Sequence, residues 1–329
     1  MGDVAMTVPV LTSFEIDAQT EMLVVTDKFF APMFSELQNT KVFTIDLKNK
    51  HKGFAGIFRL FIELKKFKPD AVADLHDVLR TKLLRAFFSL VGVKSFVINK
   101  GRAGKKNLIA NGKDNSVQLK TSFERYKNVF ENMGFNFDID FESIFKSKPD
   151  LSQPLLDLYG DKSAKWIGIA PFAKHKGKLY PLVKMEKVIE ALNGETNLKI
   201  FLFGQGKEER DVMQQWEAKY ENTCSASPRL GLKEELILMA NLDLMLSMDS
   251  ANMHLASLVG QRVLSIWGAT HHFAGFLGWK QKENDIIGSA IQCRPCSVFG
   301  NKKCKTNDYA CLNGIEPNTV YSGIMKRLK

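Results

Sequence analysis

Toward its C-terminal end the 329-residue chain carries Met248-Asp249-Ser250-Ala251. This turn joins an apolar run, Leu242–Met248, to a segment with helical apolar spacing, Ala251–Val259. Asp249 and Ser250 are good N-cap residues. Where a strand gives way to a helix, the first backbone N–H groups of the helix stand free and the positive end of its dipole reinforces them. That is chemistry for an anion such as phosphate. His254 falls one turn into the same helix, where an imidazole can donate to the same anion. Two other apolar runs end in loops of related character. After Trp166–Ala170 come Lys174, His175, Lys176 and Lys178, and after Leu198–Phe203 comes Gly204-Gln205-Gly206-Lys207-Glu208-Glu209. Ligands of open α/β sheets bind at the carboxyl ends of the strands, so three such loops on one sheet suit a nucleotide diphosphate.

A second group of residues could bind metal. Cys293 and Cys296 form a C-x-x-C pair, followed by Cys304 and Cys311. Four thiols at this density have the ligand count of a structural zinc site, with reduced thiols or a disulfide as the alternatives. Cys224 lies outside the group. The odd total of 5 cysteines fits a reducing compartment better than a disulfide scaffold.

These residues must be held by a scaffold, and the chain supplies an alternation of short apolar runs and amphipathic segments. In the first half the strands expected are Glu21–Thr26, Lys41–Asp46, Ala71–Leu75 and Ser95–Ile98. Helices are expected over Phe54–Phe67, Asp77–Val91 (capped by Asp77) and Ser122–Met133, with a mobile basic loop over Asn99–Gly112. Residues Asp138–Asp161 lose the periodicity and contain Pro149 and Pro154, which marks a linker. A second βα series then runs from Trp166, and a last helix starts at Pro317. Such alternation predicts the α/β class with parallel sheets in two Rossmann-like domains. The division expected is a basic N-terminal domain over 1–150, a C-terminal domain over 151–316 and a terminal helix over 317–329.

Composition narrows the function classes. The apolar content of 45% is enough for real cores. No apolar run approaches the length of about 20 residues that crosses a bilayer, and the N-terminus lacks the pattern of a secretory signal. A cytoplasmic location is the expectation. The net charge is +10, and between Lys41 and Lys127 there are 20 Lys and Arg against 7 Asp and Glu. A basic face concentrated in one domain suits an anionic partner. Nucleic acid, an anionic membrane and a phosphorylated sugar-lipid all meet that description, but no aromatic platform for RNA is visible.

The stretch DSANMHLASLVGQRVLSIWGAT, Asp249 to Thr270, resembles the D-[ST]-G-x-x-H-L-x-A-x-x-G-x-P signature and the following strand of the ADP-heptose:lipopolysaccharide heptosyltransferases, glycosyltransferase family 9. Asp249, Ser250, His254, Leu255, Gly260, Gly268 and Thr270 match; Ala251 stands where that family has Gly, and Arg262 where it has Pro. Lys178-Leu179-Tyr180-Pro181 is similar to the family's K-x-[WY]-P, and Gly204 to Glu209 to its G-x-x-x-E-E segment. Gly2, Asp3 and Pro9 resemble the end of its opening L-G-D-x-x-x-x-x-P motif, and Cys293-Arg294-Pro295-Cys296 its C-x-P-C segment.

The resemblance implies a GT-B architecture, two Rossmann-like domains facing a cleft, with the first strand of the N-terminal domain missing here and the last helix packing back on that domain. It implies an inverting transfer of a heptosyl unit from ADP-heptose to a lipid A–inner-core acceptor, with no metal required for catalysis. Asp3 would be the general base. Lys178, Gly204, Gly206, Glu208, Glu209, Asp249, Ser250, Ala251 and His254 would hold the donor, with the choice between the two glutamates for the ribose left open. The loop with His271, His272 and Trp279 could face the sugar. Arg102, Lys105 and Lys106 are candidates for the acceptor's anionic groups. The enzyme would work in the cytoplasm at the inner-membrane surface, with no nucleic-acid partner. The alternatives are another nucleotide sugar, an inactive sugar-nucleotide-binding relative, or a basic nucleic-acid-binding protein.

Overall fold

Every strand among the described residues pairs in parallel with its neighbour, as the apolar runs without alternation predict. The computed structural model describes residues 1–18, 20–111, 117–226 and 229–328. The chain forms two units, the first mainly Asp3–Gly101 and Lys120–Ile144, the second mainly Arg102–Leu119 and Phe145–Lys329.

The first unit opens on α1 (Gly2–Ala5) and α2 (Val8–Ala18), with no strand before them among the described residues. There follow β1 (Met22–Asp27), β2 (Thr40–Ile45), α3 (Gly53–Lys65), β3 (Ala71–Asp74), α4 (Leu79–Leu90) and β4 (Lys94–Val97). The strands make two ladders, β1–β2 and β3–β4, which share no hydrogen bonds among the described residues. Both are covered by the same helices: Leu60, Phe61 and Leu64 of α3 and Phe88 of α4 pack with Leu23, Phe43 and Ile45 of one ladder and Val72 of the other. Elsewhere in the unit, Phe14 of α2 meets Phe130 of α6 (Ser122–Asn132), ring centroids 4.4 Å apart.

Helix α3 is apolar on two sides. Ile57, Leu60, Phe61 and Leu64 face the core, whereas Phe54, Phe58 and Ile62 are 65%, 47% and 43% exposed. The exposed three recur at every fourth position, so they form one outer stripe. Phe67 beyond it and Leu90 of α4 are also exposed.

The second unit holds α5 (Arg102–Asn111), α7 (Gln153–Tyr159), β5 (Lys165–Ala170), α8 (Leu182–Asn193), β6 (Leu198–Leu202), α9 (Lys207–Lys219), β7 (Thr223–Ser225), α10 (Leu232–Ala240), β8 (Leu244–Met248), α11 (Ala251–Leu258), β9 (Val263–Ile266), β10 (Ile286–Ile287), α12 (Ala310–Asn313) and α13 (Pro317–Leu328). Its sheet has the order β10-β9-β8-β5-β6-β7. Ile167 of β5 is registered against both Ile200 of β6 and Leu244 of β8. All residues of β8 and β9 are buried, because helices lie over both faces of a sheet whose connections are crossovers. In α8, Met185, Val188, Ile189 and Leu192 are fully buried at helical spacing.

Three local expectations are corrected. Residues Asn99–Gly112 are not a loop throughout: Arg102–Asn111 is helical, and Leu108 is buried, so an apolar contact overrides the glycine-rich composition; Gly112 lies outside the described residues. The stretch 138–161 contains a helix, α7, whose Leu155 and Tyr159 are buried. Asp77 does not cap α4; it has φ +42°, and Val78 is the cap residue, its N–H bonded to the Thr81 hydroxyl at 2.9 Å. The terminal helix α13 belongs to the second unit. Its Val320 and Ile324, at i and i+4, are completely buried in the core of the second unit beside the residues of α8.

Candidate active site

Three βα loops of the second unit carry the residues that sequence spacing singled out, and two of them meet. After β5 the chain makes a single 3-10 turn, Lys176–Lys178, and Tyr180 anchors it: the ring is fully buried and its hydroxyl donates to the Ile315 carbonyl at 3.0 Å. Pro181 then opens α8. Lys178 is thereby delivered to the end of β8, where its Nζ lies 2.8 Å from Asp249 Oδ2. The Thr270 hydroxyl donates to the same oxygen at 2.7 Å, from the end of β9. Asp249 is 3% exposed and the Lys178 side chain 16%. Gly300 sits against the stem of Lys178: its φ is +73°, and a Cβ there would stand 2.6 Å from Lys178 Cγ.

Asp249 therefore does something other than cap a helix. Its carboxylate orients an ammonium, leaving Lys178 two further N–H donors for a ligand. Ser250 occupies the cap position of α11 in an extended conformation, yet makes no side-chain cap bond; its Oγ lies 3.3 Å from Ser247 Oγ. The first turn of α11, beginning at Ala251, keeps its orphan amides and the positive pole of its dipole. His254 is buried within that helix, at its fourth residue.

The loop after β6 turns at Gly206, whose φ of +99° only glycine adopts freely. Of the two glutamates, Glu209 turns back to this loop, its Oε2 accepting the Gln205 N–H at 2.7 Å. Burial raises the Glu209 carboxyl above its usual range, against the lowering effect of that bond. Glu208 is exposed on the first turn of α9. Gly204 lies against Phe172 and Glu209, where a Cβ would come within 2.8 Å of the Phe172 ring.

After β9, His271 caps the next 3-10 turn by accepting the Phe273 N–H at 3.2 Å through Nδ1. Burial, with the neighbouring His272 adding to it, pulls its pKa down to about 4. It is neutral at physiological pH and does not serve as a phosphate counter-charge. Of the acceptor candidates, Lys105 is buried, its Nζ 4.1 Å from the centre of the Phe276 ring, so its charge is spent inside the second unit. Arg102 and Lys106 are exposed.

In the first unit Asp3 is exposed on α1, and no hydrogen bond to its carboxylate is present among the described residues. The Tyr126 hydroxyl donates to its backbone carbonyl at 3.3 Å. His76, in the turn after β3, lies within electrostatic range of the Asp3 carboxylate. That turn is pinned by Asp74, whose Oδ1 accepts the His76 and Asp77 N–H groups at 3.0 and 2.8 Å. Burial lowers the His76 pKa, and the Asp3 charge opposes the shift. Sequence reasoning missed His76; its signal was a histidine directly after a strand's carboxyl end. It also passed over Gly300 and Arg294, for which spacing offers no cue.

The four grouped cysteines line one pocket together with Arg294, Lys305 and Tyr309. Burial pushes the Cys311 thiol up to about 11, and the Cys296 sulfur adds to the shift. Among the described residues no three His, Cys, Asp or Glu side chains are gathered as they would be around a metal ion.

An ammonium held by a buried carboxylate, an uncapped helix N-terminus and a glycine turn with a carboxylate all lie at the carboxyl edge of one parallel sheet, where the chemistry suits an anionic ligand. Residues 57–307 match the profile of glycosyltransferase family 9 (heptosyltransferase). The chain belongs to that family. It is a glycosyltransferase, and the family's activity is heptosyl transfer in lipopolysaccharide synthesis. It is similar to the lipooligosaccharide heptosyltransferase 2 of Campylobacter jejuni, 22% identical over 338 residues, covering 99% of this chain and 96% of the relative. Among solved structures it resembles the family 9 glycosyl transferase of Veillonella parvula, with a TM-score of 0.76, 16% identity and coverage of 99% and 94%. The E. coli ADP-heptose lps heptosyltransferase II gives a TM-score of 0.71 at 14% identity, with coverage of 99% and 94%. Both likenesses confirm the α/β, GT-B class of fold.

Proposed function

We propose that this glycosyltransferase takes ADP-heptose as donor and an anionic lipid A–inner-core saccharide as acceptor, and inverts the anomeric centre. The observation that carries the reading is the Lys178–Asp249–Thr270 cluster beside the uncapped N-terminus of α11. Lys178 and the α11 amides hold the diphosphate and stabilise the charge that gathers on it as the glycosidic C–O bond breaks. Glu209, fixed by the Gln205 amide, is the carboxylate for the ribose hydroxyls. Asp3 takes the proton of the acceptor hydroxyl while that oxygen attacks the anomeric carbon, and ADP departs with the bonding electron pair. Relatives named as heptosyltransferases, one of them for ADP-heptose, support the choice of donor. The test is transfer from ADP-heptose to a heptose-deficient lipopolysaccharide acceptor, followed by release of ADP. Turnover with other nucleotide sugars but none with ADP-heptose would overturn the donor assignment.

We infer further that the enzyme works at an anionic membrane surface. No helix among the described residues is long and apolar enough to cross a membrane. The outer stripe of α3, Phe54, Phe58 and Ile62, is instead suited to lying in the headgroup region, with Lys52, Arg59, Lys65 and Lys66 of the same helix and its flanks beside anionic headgroups. On this reading the acceptor, itself a lipid, comes within reach of the first unit. Arg102 and Lys106 remain candidates for its phosphates.

A further inference from the structure

In the first unit the two segments that leave the carboxyl end of the β3–β4 ladder are tied together. Asp74 is registered against Val97, and the Ile98 N–H donates to the Asp74 carbonyl at 3.0 Å. The strands are parallel, so His76 and Asp77 after β3 emerge on the same edge as Asn99, Lys100 and Gly101 after β4. Lys100 joins the two segments: its Nζ donates to the Asp77 carbonyl at 3.3 Å.

The segment that carries Lys100 is held in turn from α6. Arg125 Nη1 donates to the Asn99 carbonyl at 3.2 Å, and its Nε to the Lys120 carbonyl at 3.1 Å. The guanidinium lies against Gly101, whose φ is +62° and where a Cβ would stand 2.3 Å from Arg125 Cζ. The Asn99 side chain accepts the Gly101 N–H at 3.0 Å. The next residue of α6, Tyr126, holds the Asp3 carbonyl. One helix thus positions both the proposed base and the segment bearing Lys100.

A half-buried ammonium fixed in this way is ordinarily paired with a carboxylate. Lys100 is half-buried, and among the described residues it makes no ion pair. One of its N–H groups meets a carbonyl oxygen, and two remain. Its charge is felt at the site: desolvation lowers the His76 pKa, Asp3 opposes the shift and Lys100 adds to it, so both charges reach one imidazole. A saccharide hydroxyl presented to Asp3 therefore stands near a cation with uncommitted donors.

We propose that Lys100 is the acceptor-anion contact of the first unit: it holds a carboxylate or phosphate of the acceptor saccharide and so brings the attacking hydroxyl to Asp3. The proposal rests on the reading of Asp3 as the base and of the acceptor as an anionic saccharide. Two free N–H groups on one ammonium suit the oxygens of either anion, and the bonds are charge-assisted. Arg125 and Gly101 act through Lys100, as positioning residues for the segment it sits on.

The probe is the lipid A–inner-core saccharide freed of its fatty acids, in three forms: intact, stripped of phosphate, and with its sugar-acid carboxyls reduced to alcohols. Binding to the full chain is read by calorimetry without donor, and transfer is read separately by ADP release from ADP-heptose. The parent protein is expected to bind the intact form about 10- to 100-fold more tightly than one of the neutralised forms, and the form that loses affinity identifies the anion. Lys100→Gln keeps an N–H for the Asp77 carbonyl but not the charge. It should bind the intact form as weakly as the neutralised one, and Lys100→Arg should restore the preference. Lys94→Gln makes the same charge change at the other end of β4 and should keep the preference. A purely structural Lys100 would weaken all three forms alike in Lys100→Gln. That result, or a parent protein that binds all three forms equally or binds none, would overturn the proposal. The parent comparison uses unaltered protein, so misfolding of a variant does not decide the outcome. Acceptor binding with the expected preference but without ADP release would count against the donor assignment alone.

Discussion

Lys178 and Asp249 form a 2.8 Å ion pair across neighbouring strand ends, β5 and β8, and the Thr270 hydroxyl of β9 completes it at 2.7 Å. A carboxylate buried to this degree tolerates its charge only because the two donors meet it. Lys178→Met removes one and should lower stability by about 3 kcal/mol, read by urea unfolding, and weaken ADP binding. Adding Asp249→Asn to that variant removes the uncompensated charge, so stability should return while ADP binding does not. Recovery of both would mean that Lys178 has no part in holding the donor.

The contact of Gly300 with Lys178 gives a steric version of the same experiment. At φ +73° an alanine is strained, and its Cβ would meet Lys178 Cγ at 2.6 Å. Gly300→Ala should cost about 1–3 kcal/mol in unfolding free energy. It should also raise the KM for donor, because the ammonium is displaced; a stability loss with unchanged KM would separate the two roles.

Asp3 carries the proton-transfer step in the proposed mechanism. Asp3→Asn should lower kcat by about 100- to 10,000-fold and leave the Kd for ADP unchanged. The same substitution removes the negative charge that holds the His76 pKa up, so the His76 pKa should fall further below its ordinary value. A histidine NMR titration of both proteins reads that shift, and no movement would mean that Asp3 does not face His76.

His271 should make stability depend on pH. Its folded-state pKa of about 4 lies below the ordinary value of 6.5. The unfolded chain therefore binds the proton more readily, and the contribution to stability, complete above about pH 6.5, is lost as pH falls toward 4. Protonation also ends the acceptance of the Phe273 N–H by Nδ1. His271→Asn keeps an acceptor in place without a titrating group, so its melting temperature should fall less between pH 6.5 and 4 than that of the parent protein.

The outer stripe of α3 should govern membrane binding. Sedimentation with phosphatidylglycerol–phosphatidylethanolamine vesicles is expected to capture the protein, and added salt to weaken the capture. Phe54→Ser with Phe58→Ser should reduce the affinity about tenfold or more, since two large apolar side chains no longer leave water. Those side chains are 65% and 47% exposed, so the double variant should fold normally.

The local layers of this protein are determined by sequence alone. Apolar runs without alternation mark β5, β6, β8 and β9 as buried parallel strands, and the loops at their carboxyl ends hold Lys178, Gly204 and Asp249 because strand direction fixes where a loop emerges. Spacing of this kind is a property of neighbouring residues. Which loop residues meet is decided only by strand order and crossover geometry. The placement of β8 between β5 and β9 turns Asp249 from a prospective helix cap into the partner of Lys178 and Thr270. Packing likewise takes Lys105 out of solvent onto the Phe276 ring and seats α13 against α8, because burial depends on what lies opposite a side chain. The composition of a segment does not contain that information, and tertiary contact supplies it.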